Sequence, residues 1–468
     1  MEEKEVKLNL IQQKILDEIA QSPENNCRYY IQGFPGSGKT FLAKEIMKIF
    51  KKKYSRNEIK VASQTGIAAS NATDGTGIKG QTIHSLLKIG TKNENMHKSR
   101  GVPNDVLVDV KVLFLDEVSM LPLKLFKLID ETLRRDKKKE VPFGGIPVIL
   151  LGDFKQLSPI KDASIREDEL FLNNFKQREL LTHVRNDNPE EQRIVTHIRN
   201  GNVEPQDIAV LNSLVRMPTD PSCLHIMLMN RDIDVHNNTT IKMHHLPDLD
   251  PFTFKYKKTI HDEQAKLRYD IDLYLDAQIL KHNLKIKLNI KPGCPVMCRK
   301  NTVVKGVDGN TYTVFNGMMG VVIEVVEFIT EKGEIDEELI VQFSSISVQI
   351  MMRRICMEYR TYGRNATHIA SLYQFPLHLC YAMTPWKCQG QTFNKPYVIG
   401  YIPKDPSLFY VMITRATSLQ DCVYINSDLS NPFNVQYFNK QMQDKKTNSK
   451  NGTIDYYLLK RKRISDSD

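Results

Sequence analysis

Eight residues constrain this chain more than any others: Gly33-Phe34-Pro35-Gly36-Ser37-Gly38-Lys39-Thr40. They fill every fixed position of the phosphate-binding loop pattern G-x-x-x-x-G-K-[ST]. Residues 28–32, Arg-Tyr-Tyr-Ile-Gln, read as a short strand entering the loop. Residues 39–50 read as a helix leaving it, with Leu42, Ile46, Ile49 and Phe50 near helical spacing. Glycines let backbone N–H groups wrap phosphate oxygens, and a helix N-terminus adds the positive end of its dipole. In such a loop Lys39 reaches the β- and γ-phosphates of ATP, and Thr40 holds Mg²⁺.

Two apolar runs extend this reading. Val112-Leu113-Phe114-Leu115-Asp116-Glu117 ends in two acids, as a buried parallel strand delivers carboxylates at its C-terminal edge. A strand ending in Asp-Glu is common by chance, but much less so after a phosphate loop. Asp116 is expected to position Mg²⁺, and Glu117 to polarise the attacking water. Pro147-Val148-Ile149-Leu150-Leu151 breaks at Gly152 into Asp153-Phe154-Lys155-Gln156-Leu157. If that strand neighbours the one ending at Asp116, Gln156 lies beside the γ-phosphate.

The chain has 468 residues, which implies two or more domains. Its 41% hydrophobic and 26% charged content is that of a globular protein. No apolar run reaches the roughly 18 residues of a membrane span. The N-terminus, Met-Glu-Glu-Lys-Glu-Val-Lys, is too acidic for a transit peptide. The eight cysteines are scattered without zinc spacing, and reduced thiols are expected. The net charge of +10 suits a polyanionic partner such as nucleic acid. Lys460-Arg461-Lys462-Arg463, in a polar tail, suits a nuclear-import signal, a nucleic-acid anchor or a solubilising end, so residence in nucleus or cytoplasm is expected.

Further segments fall in a fixed order around these. Leu8-Asn9-Leu10-Ile11-Gln12 precedes the loop, and Gln64-Thr65-Gly66-Ile67-Ala68-Ala69 and Thr82-Ile83-His84-Ser85 follow it. Pro142-Phe143-Gly144-Gly145-Ile146 runs into the Gly152–Leu157 stretch. Leu181-Thr182-His183-Val184-Arg185 is followed by Ile198-Arg199-Asn200-Gly201. Cys380-Tyr381-Ala382-Met383-Thr384-Pro385-Trp386-Lys387-Cys388-Gln389-Gly390-Gln391-Thr392 and Tyr410-Val411-Met412-Ile413-Thr414-Arg415-Ala416-Thr417-Ser418 close the series. From about Leu8 to Tyr424 the chain resembles the Pif1-like DNA helicases of superfamily one, relatives of the RecD and Dda enzymes.

The resemblance implies an α/β fold: two RecA-like P-loop NTPase domains with a small wedge insertion and an SH3-like β-barrel insertion. It implies a first RecA-like domain over residues 1–180, with the wedge at about 88–108. The second RecA-like domain is expected at 181–290 and 378–430, the barrel at 291–377, and a C-terminal extension at 431–468. ATP and Mg²⁺ are the implied cofactors, and single-stranded and forked DNA the implied partners, with no membrane. Implied ATP contacts are Gln12, the whole loop from Gly33 to Thr40 (Gly33, Phe34, Pro35, Gly36, Ser37, Gly38, Lys39, Thr40) and Gly390. Catalytic roles fall to Lys39, Glu117, Gln156, Arg185 and Arg415, and metal binding to Thr40 and Asp116. Thr65, His84, Trp386 and Lys387 are the implied DNA contacts. The implied activity is ATP-dependent, 5′→3′ translocation on single-stranded DNA with unwinding of duplex.

The chain departs from the family in places. Trp386-Lys387-Cys388-Gln389-Gly390 stands where His-Lys-Ser-Gln-Gly is usual, Asn186 stands where Gln usually follows the arginine, and Thr414 stands for Ser. Trp386, the chain's one tryptophan, suits either base stacking or core packing. These changes suggest a divergent member, of the kind viruses and mobile elements carry. Two other functions stay open: a superfamily-one RNA helicase of viral type, and a non-unwinding switch NTPase indifferent to nucleic acid.

Overall fold

The computed structural model describes residues 8–425 apart from 22–26, 90–101, 161, 185, 217, 219, 221, 244, 247, 262–270, 330–332, 361–367, 401, 402 and 404. Most of the expected wedge, all of the C-terminal extension with its basic cluster, and Arg185 therefore lie outside the described residues. Contacts group the chain into two compact units. One lies within Met1–Arg216, Cys388–Lys395 and Tyr401–Asp468, the other within Met217–Lys387 and Pro396–Gly400.

The first unit is built on six strands: β1 (Arg28–Gly33), β2 (Ile59–Ser63), β3 (Gly80–Thr82), β4 (Val112–Asp116), β5 (Val148–Gly152) and β6 (Lys176–Leu180). Their order is β3-β2-β4-β5-β1-β6, and every pairing is parallel. Strands β1, β4 and β5 are apolar and buried almost throughout, as a parallel sheet covered on both faces requires. Side chains alternate faces along a strand, so consecutive residues enter different cores. Tyr30, Leu113, Leu115, Val148 and Leu150 pack with Phe126, Ile129 and Leu133 of the helix Leu123–Lys137. Tyr29, Ile31, Phe114, Ile149 and Leu151 pack on the other face with Leu42, Ile46 and Phe50. Ile15 and Ile19 of α1 (Leu10–Gln21) join this second core.

Helix α2 (Lys39–Lys51) forms where the 3.6-residue spacing predicts it: Leu42, Ala43, Ile46, Met47 and Phe50 are its buried face, while Ile49 is only partly buried. The Phe-Gly-Gly turn before β5 serves packing. Phe143 is fully buried with a left-handed φ of 54°, and its N–H donates to the Asp130 carboxylate. A Cβ on Gly144 would meet the Leu133 carbonyl oxygen at 2.7 Å, so only glycine lets the turn lie against the helix.

The second unit holds a parallel set of three strands, Ala382–Met383, Leu224–Ile226 and Tyr397–Ile399. It also holds the strand-rich insertion, an antiparallel sheet of seven strands. Their order is Thr311–Val314, Thr302–Gly306, Ile350–Met352, Ile335–Phe343, Met319–Ile329, Pro295–Cys298, Leu377–Leu379. Strands Ile355–Arg360 and His368–Gln374 stay outside that sheet and pair with Lys257–Ile260 instead. The architecture is α/β, RecA-like, with an antiparallel insertion.

Candidate active site

Five strand ends of the parallel sheet converge where such sheets place their sites, at the carboxyl edge. Gly33 ends β1, Asp116 ends β4, Gly152 ends β5, and Ser63 of β2 lies in register with both Asp116 and Thr82. Gly36 and Gly38 adopt φ of 86° and 85°, the left-handed turns that fold the loop back on itself. No side chain caps α2 at Gly38, so its first N–H groups stay available to an anion. The Ser37 side chain is fully buried, and its Oγ has no hydrogen-bond partner. A buried hydroxyl without a partner inside a loop of this shape points to a missing ligand oxygen.

Lys39 spans the loop, its Nζ donating to the carbonyls of Gly33 and, at 3.1 Å, of Phe34. Burial pushes its pKa down, opposed by the carboxylates of Asp153, Glu117 and Asp116. Asp116 is pushed up to about 7 by burial and then by the neighbouring Glu117 charge. Thr40 and Asp116 each offer oxygen donors alone, and Ser63, whose Oγ has no partner, lies in register with Asp116. Such a set fits a hard divalent cation such as Mg²⁺.

Glu117 has a left-handed φ of 54°, a strained position for a non-glycine residue. Gln389 fixes its carboxylate: Nε2 donates to Glu117 Oε2 at 3.1 Å and to Ser119 Oγ at 3.2 Å. Gly390, φ 77°, lies beside it, and a Cβ there would stand 3.6 Å from Glu117 Oε1. Gln12 is 2% exposed. Its oxygen accepts from the Asn9 N–H while Asn9 Oδ1 accepts from the Gln12 N–H, a reciprocal cap on α1. Its Nε2 then rests 3.4 Å from the Gly38 carbonyl. His183 stacks on Phe34 with ring centroids 3.9 Å apart, and the next N–H, of Val184, donates to the Gly36 carbonyl. Burial and then Arg199 push His183 down to about 4, so the stacked ring is neutral.

Beyond β5, Gln156 is buried, and its Oε1 meets Arg415 Nη2 at 3.5 Å. The remaining Arg415 donors go to Val411 O, Gln391 O and Thr414 Oγ1. Asp153, fully buried, accepts from Arg199 Nε and Nη2 at 3.2 Å each and from Tyr410 OH at 2.9 Å. Arg199 bonds Glu179 as well, and its pKa rises through those carboxylates although burial opposes it.

The DNA-facing expectations lie elsewhere. Thr65 Oγ1 caps the helix Gly66–Thr73 by accepting from Ala68 N. His84 is half-buried, which lowers its pKa. Trp386 and Lys387 belong to the second unit, in the one-turn helix Pro385–Cys388, and both are half-buried. Sequence reasoning assigned no role to Asp153, Arg199, Tyr410 and Gln389. All four sit inside segments that carry the family resemblance, which is the available signal.

A phosphate loop, an acidic strand end and a glutamine–arginine pair on a RecA-like sheet are the parts of a P-loop nucleotide site. Residues 7–187 match the model of the PIF1-like helicase family. That match takes in the phosphate loop, the acidic strand end and β5, and covers less than half of the chain. The chain is 34% identical over 161 residues to the ATP-dependent DNA helicase PIF1 of Saccharomyces cerevisiae, covering 33% of this chain and 18% of that protein. It is 26% identical to the ATP-dependent DNA helicase Pif1 of a Psychrobacter species, over 84% of this chain and 64% of that one. The chain thus spans less than two thirds of these curated relatives. The Bacteroides Pif1 helicase solved with ADP-AlF3 and single-stranded DNA shares the fold, with a TM-score of 0.65, 24% identity, and 99% and 98% coverage.

Proposed function

We propose that this chain is an ATP-driven helicase that moves 5′→3′ along single-stranded DNA and separates the duplex ahead of it. One observation carries the reading: Arg415 meets Gln156, which follows the sheet edge holding Lys39, Asp116 and Glu117. An arginine and a polar sensor at the γ-phosphate position are what phosphoryl transfer requires, since negative charge spreads over the transferring oxygens.

In the proposed cycle Lys39 leaves the Gly33 and Phe34 carbonyls for the β- and γ-phosphates. Ser37 Oγ and the free N–H groups of α2 close on the same oxygens. Thr40 and Asp116 would hold Mg²⁺, which would neutralise phosphate charge. Glu117, steadied by Gln389, orients the attacking water. Gln156 and Arg415 report loss of the γ-phosphate, with Arg185 as the second arginine. Gln12 and Gly390 border the nucleotide. Thr65, His84, Trp386 and Lys387 contact the strand, with little base preference because phosphate contacts and stacking carry little sequence information. The relatives are named as DNA helicases, and the Bacteroides structure holds single-stranded DNA. The basic tail suits nuclear entry.

The test is ATP-driven unwinding of matched duplexes carrying a 5′ or a 3′ single-stranded tail, with Lys39→Ala as control. Unwinding from the 5′ tail alone is expected. Preference for the 3′ tail would break the polarity, equal action on RNA tails would favour an RNA helicase, and DNA-indifferent turnover without unwinding would leave a switch NTPase.

A further inference from the structure

Strand β2 ends at Ser63, in register with Asp116 of β4 on one side and Thr82 of β3 on the other. Side chains alternate faces along a strand, so residues in register on parallel neighbours point the same way, with the strands about 4.8 Å apart. Ile59 and Val61 of β2, and Val112 and Phe114 of β4, share one core with Leu42, Ala43 and Ile46 of α2. Ser63 and Asp116 continue those two rows, so both stand on the sheet face that α2 covers. Thr40 lies in the first turn of α2. The fold thus brings Ser63 and the two expected cation ligands to one face of one sheet, at its carboxyl edge, and all of these elements belong to one compact unit.

Ser63 is fully buried, and its Oγ has no hydrogen-bond partner. Its neighbours in the sheet are otherwise engaged. The Thr82 hydroxyl accepts from the Ser85 N–H at 3.2 Å and bonds the Ser85 hydroxyl at 2.9 Å. Asp116 Oδ1 accepts from the Glu117 N–H at 2.8 Å. A buried hydroxyl left without a partner is costly and rare. Packing alone would be served by an apolar residue, as it is at Ile59 and Val61 in the same row. A small hard cation keeps several waters and binds through one or two protein oxygens, so groups beside its ligands hold those waters. A hydroxyl can accept from such a water and still donate its own proton.

We propose that Ser63 is a positioning residue for the divalent cation of the nucleotide site: its Oγ accepts a hydrogen bond from a water of the cation's shell, beside the Asp116 carboxylate. Ser63 does not ligate the metal itself. The inference rests on the nucleotide reading above and deepens it. It adds to the cation site a residue that stands just before the Gln64–Ala69 segment, outside every stretch that carries the family resemblance.

The experiment titrates Mg²⁺ into the full chain in the presence of a fluorescent, non-hydrolysable ATP analogue, mant-AMP-PNP, for wild type, Ser63→Ala and Ser63→Cys. Loss of a group that steadies a metal's surroundings typically costs about 10- to 100-fold in metal affinity. Ser63→Ala is expected to need about tenfold more Mg²⁺ for half-maximal tightening of the analogue, while its affinity for the analogue in EDTA matches wild type. Ser63→Cys, close in volume but a weak acceptor, is expected to shift in the same direction. Melting curves check folding. Free Ser63→Ala should melt no lower than wild type, because the change removes a buried polar group that has no partner. Ser63→Cys carries the test if the alanine variant does not fold. An unchanged Mg²⁺ midpoint in the folded variants overturns the proposal and leaves the hydroxyl to a buried water alone. Equal weakening with and without Mg²⁺ overturns it too, since Ser63 would then act on the nucleotide and not on the cation. A wild type that binds no analogue at all defeats the nucleotide reading itself, a separate result.

Discussion

In the proposed cycle single side chains decide turnover. Glu117 would orient water only where Gln389 holds it, 3.1 Å away and 272 residues on in the chain. Gln389→Ala should therefore lower kcat about tenfold, some 1.4 kcal/mol of barrier, with KM for ATP nearly unchanged. Steady-state kinetics check this, and an unchanged kcat would free Glu117 from that dependence. His183 gives a pH effect of definite sign. Its folded pKa of about 4 lies below the ordinary 6.5, so the unfolded chain binds more protons between those values. Stability contributed by the neutral ring is complete above pH 6.5 and is lost as pH falls toward 4. His183→Phe keeps the stack on Phe34 and should flatten part of the acid fall in melting temperature; an equal fall in both proteins would sink the assignment. The candidate phosphate-site residues Gly33–Thr40, Asp116 and Glu117 are legible as candidates because each sits in a contiguous pattern. The partners that hold them were not, because Gln389–Glu117 and Phe34–His183 are pairings made only by the fold.

Between elements, the same logic gathers at Asp153. This carboxylate closes β5 and is met by Arg199, 46 residues on, and by Tyr410, 257 residues on. Three segments thus converge on one buried charge. Removing Arg199 leaves that charge without its main partner, a loss of about 3–5 kcal/mol for a buried pair. Arg199→Met should lower the melting temperature by roughly 10 °C, and Tyr410→Phe by less, because it removes one neutral donor. A shift under about 2 °C for Arg199→Met would show the network carries little stability. Hydrophobic periodicity foretold the strands and α2, since a buried parallel strand and an amphipathic helix each leave a periodic trace. The Phe-Gly-Gly run was legible only as a family mark. Its reason is steric, the Leu133 carbonyl 2.7 Å from where a Gly144 Cβ would stand, and sequence alone carries no such distance.

For the molecule as a whole, the proposed nucleotide would supply partners for groups that the protein leaves without them. Ser37 Oγ is buried without a partner, Lys39 is turned onto its own loop, and α2 begins uncapped. In the proposed function each is satisfied by phosphate oxygens, so ATP with Mg²⁺ would bind the folded chain far better than the unfolded one. Ligand at about one hundred times its Kd adds about 2.7 kcal/mol, a rise of several degrees in melting temperature. Wild type should show that rise with logarithmic dependence on ATP, and Lys39→Ala should lose most of it. Single-stranded DNA added at saturating ATP separates the remaining functions. In a helicase the strand accelerates turnover, and the gain disappears as salt releases the protein from phosphates. A nucleotide-dependent rise in melting temperature without DNA-dependent turnover would keep the phosphate site intact and assign the energy of hydrolysis to a switch.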